Sequence, residues 1–206
     1  MMQKTLLNSR VRRQRGLTLM EVLVTMMVMA LGLLGIAGLQ TSTMRYQLGS
    51  TERSNVALLL ADFAERVRAN LKVAPGEIDG SRYLMQDAED AETPAYSWDA
   101  MQGTPPTASK DCDSAACTAD ELAEFDMAVW RAQVRKMLPG GVAQVSGTTA
   151  QGLRVTLAWR DKDHTAAPTT CASGLEGIAN DTCCPASLQL SADMSGVRCA
   201  NFTVKP

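Results

Sequence analysis

The sequence predicts an α+β chain in which one very long N-terminal helix precedes a smaller body of helix and strands. Three observations predict it. An apolar run from Leu17 to Leu39 continues beyond Gln40 as an amphipathic stripe. The breaker Ala74-Pro75-Gly76 then stops the helical pattern. Further on, Leu153, Val155, Leu157 and Trp159 alternate with Arg154, Thr156 and Ala158, the period of a half-buried strand.

The first element is the apolar run, 23 residues with Glu21 as its only charge. As a helix it would be about 34 Å long, enough to cross a hydrocarbon core of roughly 30 Å. Lys4, Arg10, Arg12, Arg13 and Arg15 precede it and are predicted to stay cytoplasmic, placing the remainder across the membrane. An ordinary signal peptide fits less well, because the apolar run is too long and passes into a further helical pattern. Without those five charges the chain keeps 15 basic against 22 acidic residues, a net of −7. An acidic body argues against nucleic acid as a partner, since binding phosphates needs clustered Lys and Arg.

An acid inside such a run is unfavourable unless something satisfies it. Thr18 and Glu21 have the S/T-x-x-E spacing of a capping box, and a carboxylate suits the positive end of a helix dipole. Alternatively, cleavage after Gly16 would free an amine on Leu17 one helical turn before Glu21, available for pairing within the chain or with another copy.

The stretch R-x-R-G-L-T-L-M-E-V-L-V resembles the class III signal of type IV pilins and type II secretion pseudopilins. The resemblance implies a peptidase that cuts after Gly16, methylates Leu17 and requires glutamate at the fifth mature position, which Glu21 occupies. Leu17 departs from the commoner phenylalanine, and the leader of residues 1–16 is longer than in many major pilins, as suits a minor subunit. The segment A-L-G-L-L-G-I-A-G-L-Q at 30–40 resembles the PilV minor pilins, also called type IV pilus modification proteins. Gly32, Gly35 and Gly38 there would let helices approach closely or weaken the helix where a filament extends it; lipid-compatible glycine is the plain alternative.

In residues 40–72, Val56, Leu60, Phe63, Val67 and Leu71 form a stripe read as core, with Arg53, Asp62, Glu65, Arg66 and Arg68 on the solvated side. One helix is expected from 17 to about 72, with Gly49-Ser50 as a bend. Residues 73–206 form the expected periplasmic domain, starting with a loop-rich stretch to 118. Thr118 and Glu121 make a second capping box, opening a helix that carries Leu122, Phe125, Val129 and Leu138. Strands are expected at 142–145, 153–159 and near 197–204, with a turn at 147–152. The pilin resemblance implies that helix 1 packs on an antiparallel sheet made of such strands.

The body carries little chemistry. His164, the only histidine, falls in a polar loop. Asp161 and Asp163 begin like a calcium loop, but Ala166 and Ala172 stand where glycine and glutamate belong. No phosphate-cradling glycine loop or HExxH motif occurs. Cys112, Cys117, Cys171, Cys183, Cys184 and Cys199 lack paired C-x-x-C spacing, so in an exported domain disulfides are preferred to zinc. Cys112 with Cys117 is the simplest local bridge; Cys183 and Cys184 are expected to pair with Cys171 and Cys199, in an order the spacing leaves open. The expectation is a non-enzymatic minor pilin without cofactor or metal. It is a single-pass inner-membrane protein, N-terminus cytoplasmic, later found in the fibre at the cell surface. Its implied partners are the prepilin peptidase, other minor pilins, the major pilin, the assembly platform and a tip adhesin. A type II secretion minor pseudopilin is the alternative within the superfamily. A membrane-anchored periplasmic binding protein or hydrolase is the alternative outside it.

Overall fold

A computed structural model describes residues 16, 18–78, 80–85, 95–103, 107–172, 177–190 and 194–206. Helix α1 (Leu19–Ala69) opens the chain, which divides into two units after Gly49. In the first unit every described side chain on α1 is exposed, and none contributes to a core. Thr25 donates to the Val22 carbonyl (2.8 Å), Thr41 to Gly38 (2.8 Å) and Thr43 to Leu39 (2.9 Å), so these hydroxyls find partners on their own helix.

The second unit, from Ser50, contains the core. Val56, Leu59, Phe63 and Val67 are buried at steps of three and four residues. The expected stripe is displaced at two positions: Leu60 is only half-buried, and Leu71 is 50% exposed. The second displacement follows from where α1 stops. It ends at Ala69, short of 72, and a 3-10 turn at Leu71–Val73 breaks the 3.6-residue period. Asn70 turns inward instead, its amide donating to the Ala119 carbonyl at 2.7 Å. Arg66 is a second correction, half-buried rather than solvated. It pairs with Asp62 (3.0 Å) and Asp126 (2.8 Å), and the Tyr83 hydroxyl donates to Asp126 at 2.9 Å. Burial works against the guanidinium charge, but the two carboxylates outweigh it and leave its pKa raised. Burial and the same Asp126 charge push the Tyr83 phenol up.

Within the stretch expected to be loop, Ser97 caps a short helix α2 (Trp98–Gln102) that buries Trp98 and Met101. Helix α3 (Ala119–Met137) starts with a complete capping box: Thr118 Oγ1 accepts from Glu121 N–H, and the Glu121 carboxylate accepts from Thr118 N–H at 2.8 Å. Its inward face is Ala123, Met127, Trp130 and Val134, whereas Leu122, Phe125 and Val129 are half-buried. Trp130 sets this rotation. Its ring lies 5.0 Å from Phe63 and its Nε1 donates to the Leu59 carbonyl at 2.9 Å, so it buries the largest side chain with its polar atom satisfied. Leu138 is buried at the C-cap.

The sheet is antiparallel in the order β1 (Val142–Thr148), β2 (Gly152–Arg160), β3 (Val197–Val204). β1 runs three residues past Val145, so the turn is only 149–151; Gly147 and Gly152 are strand residues at φ 96° and 101°. A Cβ on Gly147 would lie 2.7 Å from the Gly152 carbonyl oxygen, so the hairpin needs glycine there. Residues Leu153, Val155, Leu157 and Trp159 join the core with α1 and α3 side chains. The opposite face of β2 is not solvated as the alternation predicts: Thr156 and Ala158 are 3% and 0% exposed. It is covered by the segment between β2 and β3, which includes α4 (Ile178–Thr182). Asn201, paired with Thr156, accepts from that hydroxyl at 2.6 Å and donates to the Asn180 and Cys183 carbonyls, both at 2.8 Å. Disulfides Cys171–Cys183 and Cys184–Cys199 tie the covering segment together and to β3, and Cys112–Cys117 closes the loop before α3.

Candidate functional site

The candidate site is the junction ahead of α1 together with the first turns of that helix. Gly16 is exposed, and nothing lies within 4 Å of where a Cβ on it would stand. A side chain at Gly16 therefore meets no obstacle among the described residues. Leu17, the expected new N-terminus, lies outside the described residues, as do Lys4, Arg10, Arg12, Arg13 and Arg15.

Thr18 starts the helix. Its carbonyl and its hydroxyl both accept from Glu21 N–H, at 3.0 and 3.3 Å. This is one half of the expected capping box, and it satisfies one of the free N–H groups at a helix start. The Glu21 side chain is exposed, and its carboxylate has no hydrogen-bond or ion-pair partner among the described residues. The chain thus holds the backbone of Glu21 and leaves its charge available.

What surrounds the charge is apolar. Leu19 is 83% exposed, Leu23 58%, Met27 63%, Leu34 70% and Leu39 70%. α1 is long and apolar enough to cross a membrane, with a mean hydropathy of 2.4 over its most apolar stretch and no part of that stretch buried. Gly32, Gly35 and Gly38 have no neighbours within 4 Å of a Cβ, which leaves room for another helix to approach them.

In the body, Asp161 and the cysteines are held in structural contacts. Asp161 accepts from Asp163 N–H at 2.9 Å and pairs with Arg198 at 3.1 Å, so its carboxylate is engaged. The His164 N–H donates to the Asp161 carbonyl in the same turn. All six cysteines are in disulfides, and no cluster of His, Cys, Asp and Glu suited to a metal occurs among the described residues. Sequence reading did not single out Asn201. Its signal was a polar residue on the same face of the final strand as Val197 and Cys199.

Residues 11–37 match the family model of the prokaryotic N-terminal methylation motif. Searches of curated proteins and of solved structures gave no match. The matched segment contains Gly16, Leu17 and Glu21 and supports a protein of the type IV pilin-like superfamily. The long helix and three-stranded antiparallel sheet are an α+β, pilin-like fold. Motif and helix together fit a membrane-anchored, single-pass protein, and imply processing by a prepilin peptidase in a pilus or pseudopilus context.

Proposed function

We propose that this chain is a minor pilin of a type IV pilus, cut after Gly16, methylated on Leu17, and built into the fibre or its tip. On this reading it is a structural protein that helps to start assembly beside other minor pilins, the major pilin and the assembly platform. Motility by twitching and adhesion follow as consequences. Residues 1–16 are then the leader, 17–39 the membrane and assembly segment, 40–72 the amphipathic half of helix 1, and 73–206 the periplasmic domain.

The observation that carries the reading is Glu21. A carboxylate without a partner among the described residues, inside an exposed apolar helix, is strongly unfavourable in lipid and becomes tolerable when a cation reaches it. The free amine of a cleaved chain, its own or a neighbour's, supplies one at the correct end of the helix. Sequencing the mature N-terminus tests this. A methylated Leu17 is expected; a retained Met1, or a cut beyond Leu39, refutes the processing.

A type II secretion minor pseudopilin shares every feature of the motif, and the glycine pattern at 32, 35 and 38 favours the pilus. Deleting the gene and scoring twitching against secretion separates the two. A membrane-anchored binding protein or hydrolase would keep its leader and be indifferent to Glu21.

A further inference from the structure

A cavity of about 450 Å³ in the second unit opens beside the disulfide-tied segment and is lined by His164, Pro168, Thr169, Ala179, Val197 and Arg198. Its volume falls in the range of ligand sites. Nothing in the processing or membrane reading uses it.

Two independent features give it a chemistry. The first is Arg198. Its Nε sits 3.1 Å from the Asp161 carboxylate, whose side chain is only 17% exposed and is itself held by Asp163 N–H. The contact is an ion pair rather than a directed hydrogen bond, because the buried Nε lacks a well-aligned acceptor. Asp161 thus anchors the guanidinium from its inner side. Both terminal nitrogens are left without a partner among the described residues. A guanidinium held at Nε presents its two outer N–H groups as a fork, the geometry that grips a carboxylate through two parallel bonds.

The second feature is the cavity wall from Ala166 to Thr169. Among the described residues the Ala167 N–H and C=O, the Pro168 C=O and the Thr169 N–H make no hydrogen bond, while Thr169 C=O accepts from Cys184 N–H at 2.8 Å. Ala167 precedes a proline and is therefore biased towards an extended backbone. An extended run with open donors and acceptors is a template for another extended chain. An inorganic anion would use the fork alone and leave these groups idle.

We propose that this cavity binds an extended peptide segment of another protein, with an aspartate or glutamate side chain on the Arg198 fork. The peptide backbone pairs with Ala167 and Thr169, and the alanines of the wall admit only small neighbouring side chains. The anchoring Asp161 keeps the site from collapsing onto its own cation.

The test uses the full chain in detergent, followed by nuclear magnetic resonance during titration with blocked peptides. The probes are acetylated, amidated Ala-Glu-Ala-Ala, its Gln counterpart, and Ala-Ala-Ala-Ala with a free C-terminus. Saturable shifts at the amides of Ala167 and Thr169 and at Arg198 are expected with the Glu peptide at millimolar concentrations, and at least roughly five-fold weaker binding of the Gln peptide. Arg198→Gln should remove that preference, and Arg198→Lys should retain part of it, because the charge stays while the fork is lost. Each variant is accepted only with its three disulfides intact. Equal binding of the Glu and Gln peptides, or no saturable shift, overturns the proposal. So does binding of the free-C-terminus peptide alone, which would make this a chain-end site.

Discussion

Two S/T-x-x-E motifs open two helices in this chain, and they end in different states. At Thr118 and Glu121 both halves of the box are closed, and Lys110 lies 3.1 Å from the same carboxylate. At Thr18 and Glu21 the hydroxyl caps the helix while the carboxylate stays unpartnered among the described residues. The same contrast separates the two units as wholes. The second buries Phe63, Trp130, Leu153 and Leu157 in one core, whereas the first leaves its apolar side chains uncovered. A unit that buries its own apolar groups draws its stability from its own contacts. A unit that leaves apolar surface and a charge open depends on lipid and on neighbours.

That contrast breaks most sharply at the junction. Gly16→Asp is expected to abolish processing, seen as accumulation of the uncut precursor on an immunoblot. Because a side chain at Gly16 meets nothing in the described structure, unfolding of the body would not explain the result, and normal processing would refute the proposed cleavage site. Glu21→Ala should leave cleavage largely intact and strongly reduce incorporation into surface fibres. Fibres carrying normal amounts of the variant would remove the pairing role.

Changes in the second unit should act on stability instead. Trp130→Ala removes a fully buried ring and its bond to the Leu59 carbonyl, and should cost about 3–5 kcal/mol in denaturant unfolding of the detergent-solubilised chain. Replacing Cys184 and Cys199 together by alanine should cost about 2–4 kcal/mol and free the covering segment to proteases, because it carries few apolar residues to hold it on β2. Unchanged protection would mean that Asn201 and the remaining bridge suffice.

The smallest effect belongs to the closed box. The Thr118 N–H and Lys110 hold the Glu121 carboxyl below its usual range. Its contribution is therefore present at neutral pH and is lost as acidification protonates the folded form. Thr118→Ala should cost about 1 kcal/mol. The stability difference between wild type and Glu121→Gln should shrink as the pH falls below the ordinary carboxylate range, and a difference independent of pH would contradict the assignment.

Much of the second unit was legible in the sequence where the signal is local. The Thr118 box and the span of β3 depend on residues a few positions apart. What the sequence misplaced was set by distant partners. Met127 and Trp130 turned α3 away from Leu122 and Phe125 because the ring and its N–H had to meet Phe63 and Leu59, far away in sequence. Thr156 and Ala158 read as solvated positions, yet they lie beneath a segment that no periodicity marks. α2 is too short to show a period, and Arg66 looked solvated until Asp126 faced it.

At the candidate site the balance is reversed. The spacing of Gly16, Leu17 and Glu21 and the apolar run behind them are properties of a linear segment, which the proposed function has a peptidase and a membrane read directly, so the sequence alone determined them. Tertiary structure added only that Glu21 has no partner in its own described chain. In the body it decided more: which face of α3 is inward, how Cys183 and Cys184 divide between Cys171 and Cys199, and that Arg198 and Ala167 line one cavity. A linear motif is complete within one short segment, whereas burial, pairing and cavities exist only once distant segments compete for the same space.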